Sequence, residues 1–377
     1  MFVDLDYELN EVNKIAYPMS KYSFLQNLNL ENEVSRRLSN YLDQVVKGND
    51  LVYLTPIAKD NNPEIILAEW TKIYEANKHL INDNLNEIEM SSKTKFGPRS
   101  IAKSWSERKD SLLEYFETSD CKISADSLTP DNNIKGCLRP LSISNAVELL
   151  KNSSNSGLPY FCKKKLVKDK VVGKFDELLA RRDPCILFTR TQEGGKTRNV
   201  WGYPIADTLL EMTYYQPILG VQKLKKWRSA LISPETVDNR ISDMIRNGIK
   251  SDKSFVSIDF SSFDTSVNST LQRASFKYLS KYYQVNFHDK LDYIRDRFNT
   301  IGIVSPSGIT EGPHGVPSGS TFTNEVDSIV QMLLAKYSIG LSEESDNFQI
   351  QGDDGAYCIS DNEVDTLFDG FKQGGLK

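Results

Sequence analysis

The chain has 377 residues, of which 39% are apolar and 26% charged, the proportions of an ordinary globular protein rather than a disordered, collagenous or membrane chain. No apolar run approaches the roughly 18 residues of a spanning helix, and the acidic opening MFVDLDYELNE is unlike a signal peptide. The net charge of −5 argues against a general nucleic-acid adhesive, yet between Tyr160 and Ala230 there are 15 Lys/Arg against 7 Asp/Glu; such a stripe suits a polyanion channel, with solvated helix faces as the plainer reading.

At about 150 residues per domain the length suggests two or three lobes. The five cysteines (Cys121, Cys137, Cys162, Cys185, Cys358) are odd in number and never spaced C-x-x-C, which argues for a reducing compartment and against a zinc knuckle. The three histidines (His79, His288, His314) are far apart, against a His-rich metal site.

In chain order, residues 1–95 read as mostly helical. Val34, Leu38, Tyr41 and Leu42 share one face, and a second helix runs from Ala68 to Leu80. Polar, turn-rich stretches at 91–100, 124–133 and 151–159 are the expected linkers. Beyond Pro184 short β-like runs alternate with helices, as in an α+β protein.

Four stretches in that second half carry readable chemistry. Ile186 to Pro204 contains Gly194-Gly195, a hairpin tip with Arg190, Lys196 and Arg198 on its arms. These three suit a triphosphate, but no Walker loop is present, and an exposed ribbon is the alternative. Next, Phe255, Val256 and Ile258 form a strand ending at Asp259, with Asp264 after a Ser261-Ser262 turn. A carboxylate at a strand end suits a hard cation such as Mg²⁺, although turn and cap roles fit the same residues.

Gly315 to Gly319 then reads as a loop entering an amphipathic helix striped by Val326, Ile329, Val330, Leu333 and Tyr337. Ser318-Gly319 at its start would donate hydrogen bonds or act as a plain cap, and Thr323 and Asp327, four apart, would face one cleft. Last, Gly352-Asp353-Asp354-Gly355 lies between two β-like runs as a hairpin turn with two carboxylates at its tip. After it come a capping box, Ser360 to Glu363, and a helix face of Val364, Leu367, Phe368 and Phe371.

In this order the four stretches resemble the motif series of viral RNA-dependent RNA polymerases, most nearly the picobirnavirus type, with the partitivirus type next. Arg190 to Arg198 looks like motif F, Asp259 to Asp264 motif A, Ser318 to Asp327 motif B and Gly352-Asp353-Asp354 motif C. Upstream, Asn155 to Tyr160 is similar to motif G. The resemblance covers roughly residues 150–360 and implies an α+β, right-hand polymerase fold. That fold comprises an N-terminal helical extension (1–95), fingers (96–250) and an antiparallel-sheet palm (251–377) with a fingers insertion near 276–310; the thumb is expected to be largely absent from this chain.

The resemblance further implies template-directed RNA synthesis by two-metal phosphoryl transfer. Asp259, Asp353 and Asp354 would hold two Mg²⁺ ions, for which Mn²⁺ substitutes. Arg190, Lys196, Arg198, Asp264, Ser318, Gly319, Thr323 and Asp327 would bind the nucleotide. Ser156, Gly157 and Pro159, with Lys163, Lys164 and Lys165, would bind template. Implied partners are template and nascent RNA, ribonucleoside triphosphates and viral coat protein, with no membrane, in host cytoplasm or virion interior.

Asp264, with Gln351-Gly352-Asp353-Asp354 where reverse transcriptases have Tyr-x-Asp-Asp, favours RNA synthesis over reverse transcription. Asp327 stands where many relatives have asparagine, and only 23 residues follow Asp354. The rival expectations are a two-metal nuclease and a truncated, inactive core that binds RNA or coat protein.

Overall fold

The computed structural model describes residues 21–50, 62–93, 101–117, 119–129, 134–191 and 196–377. The expected Gly194-Gly195 tip, the acidic opening and parts of the first two expected linkers lie outside the described residues.

Helix α1 (Asn32–Lys47) buries Val34, Leu38, Leu42 and Val45, the 3.6-residue spacing expected of one apolar face. Strand β1 (Asn49–Asp50) pairs with β2 (Ile101–Ala102). Between them α2 (Pro63–Asn77) starts with proline in its first turn, and the Asn62 side chain accepts from the Glu64 N–H. Helix α3 (Asp83–Lys93) follows, and α4 (Trp105–Leu113) comes after β2.

Three short helices come next: α5 (Ile143–Glu148), α6 (Lys168–Gly173) and α7 (Phe175–Ala180). Two strands, β3 (Cys185–Thr191) and β4 (Thr197–Gly202), lead to α8 (Ile205–Gln222) and α9 (Pro234–Ser251). Strand β5 (Ser254–Ile258) precedes α10 (Phe263–Ser266), α11 (Ser269–Ser280) and α12 (His288–Thr300). Then come β6 (Ile303–Ser305), β7 (Gly308–Thr310), α13 (Thr323–Ile339), β8 (Phe348–Gln351), β9 (Asp354–Ile359) and α14 (Asp361–Gly374). Among the described residues no helix is long and apolar enough to cross a membrane.

Two compact units emerge, one of residues up to Ser111 with Phe188–Val200, the other of Leu112–Leu187 with Trp201–Lys377. The second unit holds a large apolar core running from Ile123 to Leu376. Its antiparallel sheet has the order β5-β9-β8. Another sheet, β4-β3-β6-β7, includes a parallel pair, Cys185 opposite Ile303.

Helix α13 packs against α11, α14 and β8. It is buried from Glu325 through Ala335, so the one-sided stripe expected from sequence is in fact burial on nearly every face, while Tyr337 at the expected stripe's end is exposed. Helix α14 carries the expected capping box and buries Leu367 and Phe371, leaving Phe368 partly exposed.

Candidate active site

The acidic site is built by strand register. Ile258, the last residue of β5, pairs with Gly355 of β9, so Asp259 leaves the sheet beside the β8–β9 turn. Across that turn Gln351 pairs with Asp354, leaving Gly352 and Asp353 at the tip. Gly352 has φ +67°, a left-handed conformation that glycine adopts freely, as the first position of a tight two-residue hairpin requires. Of the two carboxylates expected at the tip, Asp353 stands there and Asp354 opens β9, and both are solvent-exposed.

Between Asp259 and Asp264, Ser262 takes φ +52° and turns the chain into α10, which contains Asp264. The Asp264 carbonyl accepts from the Val316 N–H at 2.7 Å, so the motif A backbone is tied to the loop before α13. Gly315 permits this approach, because a Cβ there would collide with the same carbonyl.

Electrostatics reports how closely the carboxylates gather. Partial burial, then the charges of Asp353 and Asp259, raises the Asp354 carboxyl above its ordinary range, even though the residue as a whole is exposed. Asp327 is buried on α13, and its Oδ1 has no hydrogen-bond partner. Burial, followed by the charges of Asp264 and Asp353, pushes it well above the usual carboxylate range, with Arg228 opposing. Asp353 thus acts on both Asp354 and Asp327, with Asp259 adding to the first and Asp264 to the second. Among the described residues, no three His, Cys, Asp or Glu side chains stand close enough together to hold a metal ion as they are placed.

Ser318 and Gly319 do not start a helix. Helix α13 begins at Thr323, after Phe322 and without a side-chain cap, and the Ser-Gly pair lies in the preceding turn. The Ser318 hydroxyl accepts from the Trp201 N–H at 3.4 Å, and a Cβ at Gly319 would run into the Trp201 carbonyl. The Thr323 hydroxyl donates to carbonyls of the same loop, Pro317 at 2.9 Å and Ser320 at 3.0 Å. These residues shape the loop in addition to any substrate contact.

Three buried charges support this region, of which Glu211 and Glu325 carried no signal in the sequence. Glu211 of α8 accepts from the Ser320 hydroxyl (2.8 Å), the Thr321 N–H (2.7 Å) and the Thr321 hydroxyl (2.9 Å). Burial raises its carboxyl to about 7 against those three donors. Arg228 and Glu325, both fully buried, form an ion pair at 2.8 Å, and the same guanidinium nitrogen donates to Asn324 Oδ1 at 3.0 Å. Arg228 had counted toward the basic stripe, and so had Lys225 and Lys226, which pair with Glu343 (3.2 Å) and Asp346 (3.1 Å). Part of the stripe is therefore internal ion pairing, because neutralising acids come from segments distant in sequence.

The basic hairpin presents Arg190, Lys196 and Arg198 as exposed residues. Its inward side is held by Arg108 of α4, a residue without a sequence signal, which donates to Asn199 Oδ1 (2.9 Å) and Thr189 Oγ1 (2.7 Å).

In the motif G stretch, Ser156 is fully buried. Its N–H donates to the Cys162 carbonyl at 2.7 Å, and its hydroxyl accepts from the Cys162 N–H at 3.3 Å. Gly157, at φ +61°, abuts the Tyr203 carbonyl, and the Leu158–Pro159 bond is cis. Ser156 therefore closes the loop from within, while Pro159 is half-buried at its edge. Lys163 and Lys165 are exposed, but Lys164 is partly buried; burial lowers its ammonium below the ordinary lysine range, opposed by the Glu211 charge.

Comparison with known proteins gives this geometry a context. A model of the viral RNA-dependent RNA polymerase family matches residues 119–377, more than half of the chain. The chain is 29% identical over 378 residues to a potential RNA-dependent RNA polymerase of a human picobirnavirus, covering 90% of this chain and 68% of the relative. It is 29% identical to the RNA-directed RNA polymerase of Cryptosporidium parvum virus 1, covering 63% of this chain and 50% of that one.

The crystal structure of a human picobirnavirus RNA-dependent RNA polymerase superposes with TM-score 0.70 at 25% identity, over 95% of this chain and 72% of the other. Its insertion-loop deletion mutant gives the same TM-score at 27% identity. The expected order of motifs, the acidic turn built by β5, β8 and β9, and the match over residues 119–377 agree: this chain belongs to the viral RNA-dependent RNA polymerase family.

Proposed function

We propose that the chain joins ribonucleotides on an RNA template through an acidic centre at Asp259, Asp353 and Asp354. Residues 251–377 would serve as palm, 96–250 as fingers and 1–95 as an N-terminal extension. The observation that carries this reading is the register of β5 against β9, which delivers Asp259 to the turn bearing the other two carboxylates.

The donor chemistry fits a hard divalent cation. The carboxylates are oxygen ligands in mutual repulsion, Asp353 and Asp354 are exposed and so free of competing packing, and a divalent charge would relieve the repulsion felt by Asp354. Because the described residues hold no preassembled set of three donors, binding would include reorientation of these side chains. Two Mg²⁺ ions held by these carboxylates, or Mn²⁺ in their place, would supply charge neutralisation on the triphosphate and favour an ionised attacking 3′-oxygen.

The other side chains bind and orient. Arg190, Lys196 and Arg198 provide the cationic groups that a triphosphate needs, the arginines as forks and the lysine as a point charge. Asp264 and Asp327 are assigned to the ribose hydroxyls, which distinguishes ribonucleotides from deoxynucleotides. Ser318, Gly319 and Thr323 shape the loop beside them. Gly157, Pro159 and the lysines at 163–165 are assigned to template, with Ser156 acting through the form of the loop. Phosphoryl transfer asks mainly for position and charge stabilisation, so no covalent nucleophile is required.

Incorporation of labelled ribonucleotides on an RNA template with Mg²⁺ or Mn²⁺ tests the reading. Template-dependent product is expected from the wild type and none from Asp353→Ala, with an unchanged melting profile because the side chain is exposed. Product retained by Asp353→Ala would remove that residue from the site. RNA degradation without nucleotides would favour a nuclease, and RNA binding without turnover a non-catalytic core.

A further inference from the structure

The Gly352 peptide carries the catalytic turn, and α13 holds it at both ends. The Gly352 N–H donates to Ser328 Oγ at 2.8 Å, and its carbonyl accepts from Gln331 Nε2 at 2.7 Å. Each holder is itself held. The Ser328 hydroxyl donates to the Asn324 carbonyl at 2.7 Å, one turn back on the helix. Gln331 Oε1 accepts from the buried Tyr357 hydroxyl of β9 at 3.1 Å.

The carboxamide orientation follows from these partners. Turned over, Gln331 would set its oxygen against the Gly352 carbonyl and its amino group against the tyrosine oxygen, losing a donor–acceptor match. Ser328 and Gln331 are fully buried, so the grip operates without water to replace it. A third contact steadies the arm before the turn, where Gln351 Nε2 donates to Asn324 Oδ1 at 3.1 Å, the atom also held by Arg228.

The consequence falls on Asp353. One peptide plane of Gly352 is set by Ser328 and the other, shared with Asp353, by Gln331, so the Cα from which that exposed carboxylate swings is located by buried groups. We propose that Ser328 and Gln331 are positioning residues for Asp353, setting the place of the carboxylate that receives a divalent cation. This rests on the reading of Asp353 as a metal ligand given above. Neither residue touches substrate in this scheme. They act through the Gly352 backbone, and the effect is one of geometry at the turn.

The test uses the full chain and Mn²⁺ as the probe, with binding followed by electron paramagnetic resonance, independent of turnover. Gln331→Met keeps the volume but leaves the Gly352 carbonyl unpaired; Ser328→Ala removes the acceptor from its N–H. Each is expected to raise the Mn²⁺ dissociation constant about 10-fold, the usual scale for groups that orient a ligand. The Mg²⁺ concentration for half-maximal incorporation should rise in parallel, with the nucleotide KM little changed.

A role confined to packing would lower the melting temperature without moving the metal dissociation constant. Asp353→Ala distinguishes loss of the metal ligand from loss of its positioning. If it binds Mn²⁺ as wild type does, the assignment of the acidic centre falls. If it loses Mn²⁺ binding while folded Gln331→Met and Ser328→Ala bind normally, the positioning role falls. Should Gln331→Met not fold, Ser328→Ala decides alone.

Discussion

The acidic turn and the basic hairpin each join neighbouring strands of a larger sheet and bear exposed charge, but they are supported differently. Behind Asp353 and Asp354 stand a buried helix, a buried Arg228–Glu325 pair and a peptide gripped from both sides. Behind Arg190 and Arg198 stands chiefly one buried guanidinium, Arg108, bridging the two arms. Like charges crowded at a turn repel, so their positions must be imposed by the interior, whereas long cationic side chains reach a phosphate from many conformations. The fold fixes a crowded carboxylate turn from within, whereas exposed cationic arms need little support.

The largest effect is expected at the acidic centre, where Asp259→Ala should lower incorporation by on the order of 1000-fold, the several kcal/mol of charge stabilisation that metal sites supply. Its melting temperature should stay near that of the wild type, since Asp259 is exposed. A variant of comparable activity would detach β5 from catalysis.

The interior support comes next. Arg228→Met leaves Glu325 buried without its partner and should cost about 3–5 kcal/mol in denaturant unfolding. Adding Glu325→Leu should restore much of that loss. If the single variant unfolds like wild type, the buried pair is not what steadies this part of α13.

Glu211 predicts a pH dependence of defined sign. Its carboxyl lies near 7 in the folded chain against an ordinary 4.5, so the folded state holds the proton more tightly. Its contribution is complete below about 4.5 and lost as pH rises through about 7, a change of roughly 3 kcal/mol at most. Glu211→Gln should flatten the stability profile across that window, and an unaltered profile would show that Glu211 titrates normally.

The smallest effect belongs to the exposed hairpin. Lys196→Ala should raise the nucleotide KM about 5-fold, the roughly 1 kcal/mol of a solvent-screened charge, with RNA affinity less affected. An unchanged KM would mean that the hairpin does not bind the triphosphate.

Much of the site was legible in the chain because its cues are local. Gly352 between β-like runs announces a hairpin, Ser360 and Glu363 announce the following helix, and Asp259 ends an apolar alternation. Other readings failed where a residue's partner lies far along the chain. Lys225, Lys226 and Arg228 looked like a polyanion stripe until Glu343, Asp346 and Glu325 arrived to pair with them. Ser318-Gly319 looked like a helix start, whereas Trp201, over a hundred residues away, determines why that pair is small.

The strand, turn and helix order around each motif follows from local signals, since periodicity and turn chemistry act over a few residues. Folding settles which polar side chains bond within the protein: Glu211 to Ser320 and Thr321, Arg108 across the hairpin, Gln331 and Ser328 to Gly352. Burial and pairing are properties of neighbours brought together by folding, and no spacing along one chain specifies them.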